Sequence, residues 1–194
     1  MYKGTILALF AIAATLSLID FGLSKKAEKG LEIQADLTKD WIKFVPFTGK
    51  FTVYLPRTPK YAIDIVNVPK TDIKRWYEMY VAEEPNGTVF LVNLISYHSS
   101  FDLSNVKGVL HNVVNEMISS NLNNRVLELK DETFQGRRSV FFHFQNESIE
   151  VKGIAFLAGM TVYQLTYTAL SENFNENEYE GFVNSFELVK PLEP

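Results

Sequence analysis

The sequence predicts an α+β fold, an antiparallel sheet of about six to seven strands with helices packed on its faces. Residues 160–169 alternate between two sets of side chains with a period of two, which is typical of a half-buried strand. The period then changes, and Tyr179, Phe182, Val183 and Phe186 follow the spacing of one apolar helix stripe. Upstream, strand-like runs cluster together and are set apart from the helices. That order favours an antiparallel sheet over alternating β–α units.

The chain begins with an apolar segment behind a short basic start. Lys3 precedes a run from Thr5 to Ile19 that carries no charge, which is the layout of an export signal. As a helix this run would cover about 22 Å, less than the roughly 30 Å hydrocarbon core of a bilayer. Extending it to Leu23 reaches that thickness but includes Asp20, a charge tolerated most easily near a helix end.

Three regions follow from this pattern. Residues 1–24 are predicted to be either a cleaved signal peptide or a retained membrane anchor, an N-terminal hydrophobic helix in both cases. Residues 25–40 are charged and lack a strong apolar stripe, so we expect a tether. Residues 41–190 then form one domain. The domain is expected to lie outside the cytoplasm, in the periplasm or on the outer side of the cytoplasmic membrane, anchored or secreted.

The first half of the domain is predicted to supply a strand and a hairpin. Phe51–Leu55 alternates and is stopped by Pro56, and a weaker extended piece covers Ala62–Val66. Two longer alternating runs, 74–83 and 88–97, flank an Asn-Gly pair. Asn-Gly between alternating runs is the strongest short-range signal for a hairpin.

A helix and a meander are predicted next. Asp102 or Ser104 is expected to cap a helix that ends at Asn123-Asn124. Its apolar stripe consists of Val106, Val109, Leu110, Val113 and Met117. Three further strands, 126–133, 138–145 and 148–157, are separated by short polar turns and lead into the last strand. The final helix is expected to begin at Asn175, with Glu178 completing its cap.

Composition excludes several classes of function. The formal net charge is −4 and no extended basic run occurs, so we expect no nucleic-acid partner. The absence of cysteine excludes disulfides, thiolate metal sites and cysteine nucleophiles. The three histidines form neither a His-Glu-x-x-His nor a His-x-His pair. The sequence therefore predicts no cofactor, no metal site and no catalytic residues.

One stretch does bring a base, hydroxyls and a carboxylate close together. His98 is followed by Ser99, Ser100 and Asp102. A catalytic triad needs members that converge from separate parts of a fold, together with an oxyanion hole. Neighbours in sequence seldom reach that geometry, so a hydrolase is the weakest of three functional hypotheses.

Four short segments resemble the PsbP-like superfamily in order and spacing. They are residues 51–59 (Phe-Thr-Val-Tyr-Leu-Pro-Arg-Thr-Pro), the turn 135–137, residues 159–163 (Gly-Met-Thr-Val-Tyr) and residues 182–188 (Phe-Val-Asn-Ser-Phe-Glu-Leu). The superfamily is named for an extrinsic subunit of photosystem II. It includes exported bacterial domains, and secretion chaperones of the DcrB type and a Ran-binding import factor share its fold. The resemblance covers about residues 41–189. It implies an antiparallel sheet with helices on both faces and a role in protein binding and assembly, and it supplies no catalytic residues.

The first hypothesis is accordingly a non-enzymatic domain at the cell envelope that binds a protein partner. The second is a binding module for a lipid or another small apolar ligand. Trp76, Tyr80 and Phe90 lie on the hairpin faces opposite to the predicted core and would line a groove if no helix covers them. Together with His98, these residues are the predicted binding surface. Membrane contact is expected through Thr5 to Leu23 if that segment is not cleaved.

Overall fold

The computed structural model describes residues 39–67 and 74–189. It contains ten strands and two α-helices within those ranges. In chain order they are β1 (Ile42–Phe44), β2 (Phe51–Leu55), β3 (Lys60–Asn67), β4 (Lys74–Glu83), β5 (Val89–Tyr97), α1 (Val106–Ile118), β6 (Arg125–Phe134), β7 (Arg137–Asn146), β8 (Ile149–Ala158), β9 (Thr161–Leu170), α2 (Glu176–Asn184) and β10 (Glu187–Leu188).

Seven of the strands form one sheet in the order β3-β4-β5-β9-β8-β7-β6, and every neighbouring pair is antiparallel. The hairpin of β4 and β5 and the meander of β6 to β9 are joined where β9 pairs with β5, with Val89 opposite Thr168. The predicted α+β class with its antiparallel sheet is confirmed. The hydrophobic helix expected in residues 1–24 lies outside the described residues.

Helix α2 packs on one side of the large sheet, which we call the α2 face. Asn175 caps this helix as predicted, because its side chain accepts a hydrogen bond from the Asn177 backbone N–H. Glu176 and Glu178 lie in the first turn, where negative charge stabilises the positive end of the helix dipole. The buried side of α2 is Tyr179, Phe182 and Val183.

A small second sheet covers a further part of the α2 face. Its order is β1-β2-β10, and it brings the two ends of the domain together on the central strand β2. Phe51 of β2 is fully buried and stacks on Phe186 with ring centroids 5.2 Å apart. The sequence indicated β2 but neither of its neighbours. Strands of three and two residues are too short to show alternation.

Helix α1 covers the opposite side of the large sheet, the α1 face. It buries Leu110, Val113, Val114 and Met117. The predicted cap was wrong by one to three residues: Asn105 is the N-cap, and its side chain accepts from the Gly108 backbone N–H at 3.0 Å. Asp102 instead accepts from the Ser104 backbone N–H within the preceding turn.

The end of α1 also differs from the prediction. The helix stops at Ile118, five residues before Asn123. The Asn124 side chain nevertheless contributes, because its Nδ2 donates to the Ile118 carbonyl at 2.7 Å. Among residues 39–67 and 74–189, no helix is long and apolar enough to cross a membrane.

Strand β9 is buried on both faces, whereas its alternation predicted a half-buried strand. Tyr163, Leu165 and Tyr167 pack under α2 and the small sheet, as expected. The polar side chains between them lie on the α1 face, and Gln164 and Thr166 are only 2% and 3% exposed. A buried amide side chain needs partners. The Gln164 Oε1 accepts from Asn93 at 3.1 Å, and its Nε2 donates to the Met117 sulfur at 3.1 Å.

Candidate functional site

The structure separates the four residues of the predicted binding surface. Tyr80 and Phe90 belong to the core of the α2 face and are 2% and 0% exposed. Phe90 is enclosed by Trp41, Tyr167 and Phe182, with ring centroids between 5.1 and 5.5 Å away.

Trp76 and His98 remain accessible. Trp76 is half-buried on β4, while His98 is exposed just after β5. Because Tyr80 and Phe90 are packed in the core, a ligand can reach only Trp76 and His98 without repacking the domain. A surface made of all four residues stays a prediction.

Tyr80 lies where the core meets charged groups. Its hydroxyl donates to Glu78 at 3.4 Å, and the same carboxylate pairs with the Lys50 ammonium at 2.8 Å. Burial, followed by the nearby Glu78 charge, raises the pKa of Tyr80 to about 12. Tyr80 is therefore a neutral hydrogen-bond donor at physiological pH.

The stretch around His98 forms a local turn. The His98 Nδ1 lies 2.8 Å from the Ser100 Oγ and accepts from the Ser100 backbone N–H at 3.2 Å. Asp102 accepts from the Ser104 backbone N–H, and no hydrogen bond in the described part of the chain joins Asp102 to His98. The carboxylate therefore does not orient the imidazole, which is the role that a triad requires of it.

An exposed apolar surface follows the edge strand β3 on the α2 face. It consists of Phe47, Tyr61, Ile63, Ile65 and Trp76, and we call it the edge-strand surface. Phe47 is 81% exposed and meets Tyr61 edge-on at 5.7 Å between ring centroids. Ile63 and Ile65 are 58% and 52% exposed, and Ile65 lies opposite Trp76 in the strand pair. Helix α2 and the small sheet do not cover this part of the face.

The two outer strands of the large sheet differ in character. Strand β6 carries Glu128, Lys130 and Glu132 on the α2 face, and Lys130 bridges both carboxylates at 2.9 Å. These hydrogen bonds raise the pKa of Lys130 above its ordinary value. Charges on an edge strand oppose pairing with another chain, whereas exposed alternating apolar residues favour it. On the α2 face, β6 is thus protected by charges, whereas β3 presents apolar side chains, and the Ile65 N–H of β3 is bound to its own Asp64 carboxylate at 2.8 Å.

A cleft lies on the α1 face beyond the C-terminal end of α1, and we call it the α1-end cleft. Its volume is about 340 Å³. The floor is mainly apolar and comprises Val89, Leu91, Phe144, Ile149, Val151 and Met117, together with Thr166 and Thr168. The rim is polar and includes Asn121, Asn123, Asn124, Asn146 and Glu147. Of the described residues that line the cleft, Glu147 carries the one charge.

A hydrogen-bonded chain of amides fixes part of this rim. The Asn124 Nδ2 donates to the Ile118 carbonyl, and the Asn124 Oδ1 accepts from the Asn146 Nδ2 at 3.0 Å. A carbonyl can only accept, so the Ile118 oxygen fixes which way the Asn124 amide faces. The Asn146 side-chain oxygen therefore ends this series of hydrogen bonds and remains as an acceptor.

Two polar clusters elsewhere involve the remaining histidines. The Asp131 carboxylate binds the Lys107 ammonium and, at 2.7 Å, His111 Nε2. Hydrogen bonds from Lys107, which has the larger effect, and from His111 lower the pKa of Asp131. His143 lies 3.0 Å from Glu150. Within residues 39–67 and 74–189, no group of three or more histidine and carboxylate side chains is arranged to hold a metal ion.

Sequence reasoning missed both the edge-strand surface and the α1-end cleft. The alternation of Tyr61, Ile63 and Ile65 was visible, but alternation alone does not say whether an apolar face is covered. The cleft depends on where α1 stops relative to β5 and β9. No local pattern encodes that relation.

Comparison with solved structures agrees with this architecture. The solution structure of cyanobacterial PsbP (CyanoP) from Synechocystis sp. PCC 6803 aligns with 84% of this chain and 98% of its own, with a TM-score of 0.51 and 8% sequence identity. The chain has a PsbP-like fold.

The other comparisons give no information about function. A Pseudomonas aeruginosa protein of unknown function aligns with 69% of this chain and 85% of its own at 11% identity, and its TM-score of 0.37 is too low to carry an argument. No family model and no curated protein matches the sequence. At 8% identity, the PsbP-like likeness concerns the fold alone.

Proposed function

We propose that this chain is a non-enzymatic, exported or membrane-anchored PsbP-like domain that binds a protein partner in complex assembly at the cell envelope. The partner is a protein with an extended segment that adds to β3 and places apolar side chains on the edge-strand surface. The observation that carries this proposal is the contrast between the open apolar edge at β3 and the charged edge at β6.

The geometry of β3 supports strand addition. It is the outermost strand of the seven, so one side of its backbone faces away from β4. Tyr61, Ile63 and Ile65 project from the same face at alternate positions. An added strand would gain main-chain hydrogen bonds from the edge and specificity from these alternate side chains. A contiguous exposed apolar row of this kind is typical of a protein-interaction site.

The central experiment compares two matched substitutions in the full chain. Ile63→Glu places a charge on the edge-strand surface, while Leu127→Glu places the same charge on β6, where the leucine is 43% exposed. The full chain is purified from membranes under gentle detergent, and proteins that accompany it are quantified. We expect a stoichiometric partner that is lost with Ile63→Glu and kept with Leu127→Glu.

A photo-crosslinking residue at position 63 then identifies what lies against β3. The expected adduct is a peptide of that same partner, and hydrogen exchange at residues 60–67 should slow when the complex forms. An adduct to lipid or to a second copy of this chain would contradict the proposal. So would equal loss of the partner in both substituted chains.

A further inference from the structure

We infer that the α1-end cleft binds a small amphiphile with an apolar body and a hydrogen-bond-donating head. This site is separate from the proposed function, because the cleft lies on the α1 face and the edge-strand surface on the α2 face. The inference rests on three properties of the cleft: its size and floor, the acceptor character of its rim, and an unpaired hydroxyl in its floor.

The size and floor define the body of the ligand. A volume of about 340 Å³ falls at the small end of ligand-binding pockets, which span roughly 300–1,000 Å³. The floor is lined by aliphatic side chains and the Phe144 ring. Burying an apolar body there is favourable because it removes apolar surface from water.

The rim defines the head. The chain of amides from the Ile118 carbonyl through Asn124 leaves the Asn146 oxygen as an acceptor. The C-terminal end of α1, with no basic residue in its last turn, contributes negative potential beside it. Glu147 adds a negative charge. A hydroxyl or ammonium head satisfies these acceptors, whereas a carboxylate would be repelled by them.

The floor contains a polar atom that lacks a partner. Thr166 lines the cleft, is 3% exposed, and its Oγ1 makes no hydrogen bond within the described residues. Buried hydroxyls are normally paired, and an unpaired one is costly. Thr166 lies between Leu91 and Gly153 of the neighbouring strands, on the α1 face.

Three probes with the same tail separate the head-group chemistries: hexylamine, hexanol and hexanoate. Each is titrated into the full chain in lipid nanodiscs, with empty nanodiscs as the blank, and followed by methyl NMR. The reporter methyls are those of Leu91, Val151 and Met117 in the cleft, and Ile63 on the edge-strand surface serves as the distant reference.

We expect hexylamine and hexanol to shift the cleft methyls in a saturable manner, and hexanoate to bind at least about tenfold more weakly, because Glu147 and the C-terminal end of α1 repel its negatively charged head. Equal binding of all three probes would overturn the inference. Absence of saturable shifts for every probe, or shifts centred on Ile63, would do the same.

Substitutions locate the site and distinguish the two heads. Thr168→Phe fills the floor and should abolish the shifts, whereas Thr133→Phe, on the exposed outer strand β6, should leave them unchanged. Unfolding temperatures of both variants establish that they are folded.

If Thr168→Phe does not fold, Glu147→Gln still tests the site. This substitution should weaken the binding of hexylamine about threefold and leave the binding of hexanol unchanged, because only the ammonium interacts with the charge that is lost. Binding of both probes unaltered by Glu147→Gln and by Thr168→Phe would overturn the assignment.

Discussion

At the scale of single residues, Phe186 is the side chain that ties the parts of the domain together. It follows the last turn of α2, is fully buried, and contacts rings from three strands: Phe51 of β2, Phe156 of β8 and Tyr163 of β9. The sequence placed Phe186 on the stripe of the helix. The predicted burial is confirmed, but α2 ends at Asn184, so Phe186 lies beyond the helix. The sequence did not predict that the residue joins the small sheet to the large one.

Phe186→Ala should therefore lower the free energy of unfolding by about 3–5 kcal/mol, which is typical of truncating a buried aromatic side chain. His98→Ala is the comparison, because His98 is exposed and an ordinary surface change costs under about 0.5 kcal/mol. Urea denaturation of the three chains at one pH measures the differences. Similar losses for Phe186→Ala and His98→Ala would mean that the packing of α2 described above is wrong.

The predicted binding residues show where reasoning at this scale stops. Trp76, Tyr80 and Phe90 share the α2 face of the β4–β5 hairpin, as their alternation indicated. Whether a residue on that face is accessible depends on what covers it. Helix α2 and the small sheet reach Tyr80 and Phe90 but leave Trp76 at their margin. Coverage is a tertiary property, so alternation could not distinguish these three residues.

At the scale of elements, the sequence predicted long strands and turns well and helix ends less well. The bounds of β2 and β4 agree with the sequence, because Pro56 and an Asn-Gly turn mark their ends unambiguously. The start of α1 was misplaced. Asp102, Ser104 and Asn105 are all good capping residues, and only the backbone path selects among them.

This assignment of the cap can be tested directly. Asn105→Ala should cost about 1 kcal/mol of stability, because the Gly108 backbone N–H loses its acceptor. Ser104→Ala, one residue earlier, serves as the control and should change stability by under about 0.5 kcal/mol. Thermal unfolding monitored by circular dichroism gives both values. A larger loss for Ser104→Ala than for Asn105→Ala would return the cap to the position first predicted.

At the scale of the whole molecule, the two proposed binding sites lie at places where the described part of the large sheet is uncovered. The α2 face is open along β3, and the α1 face is open beyond the end of α1. These places lie on opposite sides of one sheet and have different chemistry. The first is a flat apolar edge suited to a strand, and the second is a concave site of molecular size. A substitution at one is expected to leave the other unchanged, since distant sites behave additively.

The amino-terminal prediction also belongs to the whole molecule. A fragment beginning at Lys39 should be soluble, monomeric and cooperatively folded, because the residues of both described core clusters lie between Trp41 and Leu188. The full chain should partition with membranes if Thr5 to Leu23 is retained. Sedimentation velocity of the fragment and membrane fractionation of the full chain measure these properties. Self-association of the fragment that Ile63→Glu abolishes would show that β3 pairs with another copy.

The side of the membrane is decided by two opposing signals. Lys3 precedes the apolar run, while Lys25, Lys26 and Lys29 follow it, and a basic count alone would keep the domain inside the cell. A short basic start directly followed by an apolar run is instead how export signals are built. We expect the second signal to prevail, so a reporter active only outside the cytoplasm should be active when fused after Pro194. A silent exported reporter, together with an active cytoplasmic one at the same position, would overturn the proposed localisation and with it a partner at the cell envelope.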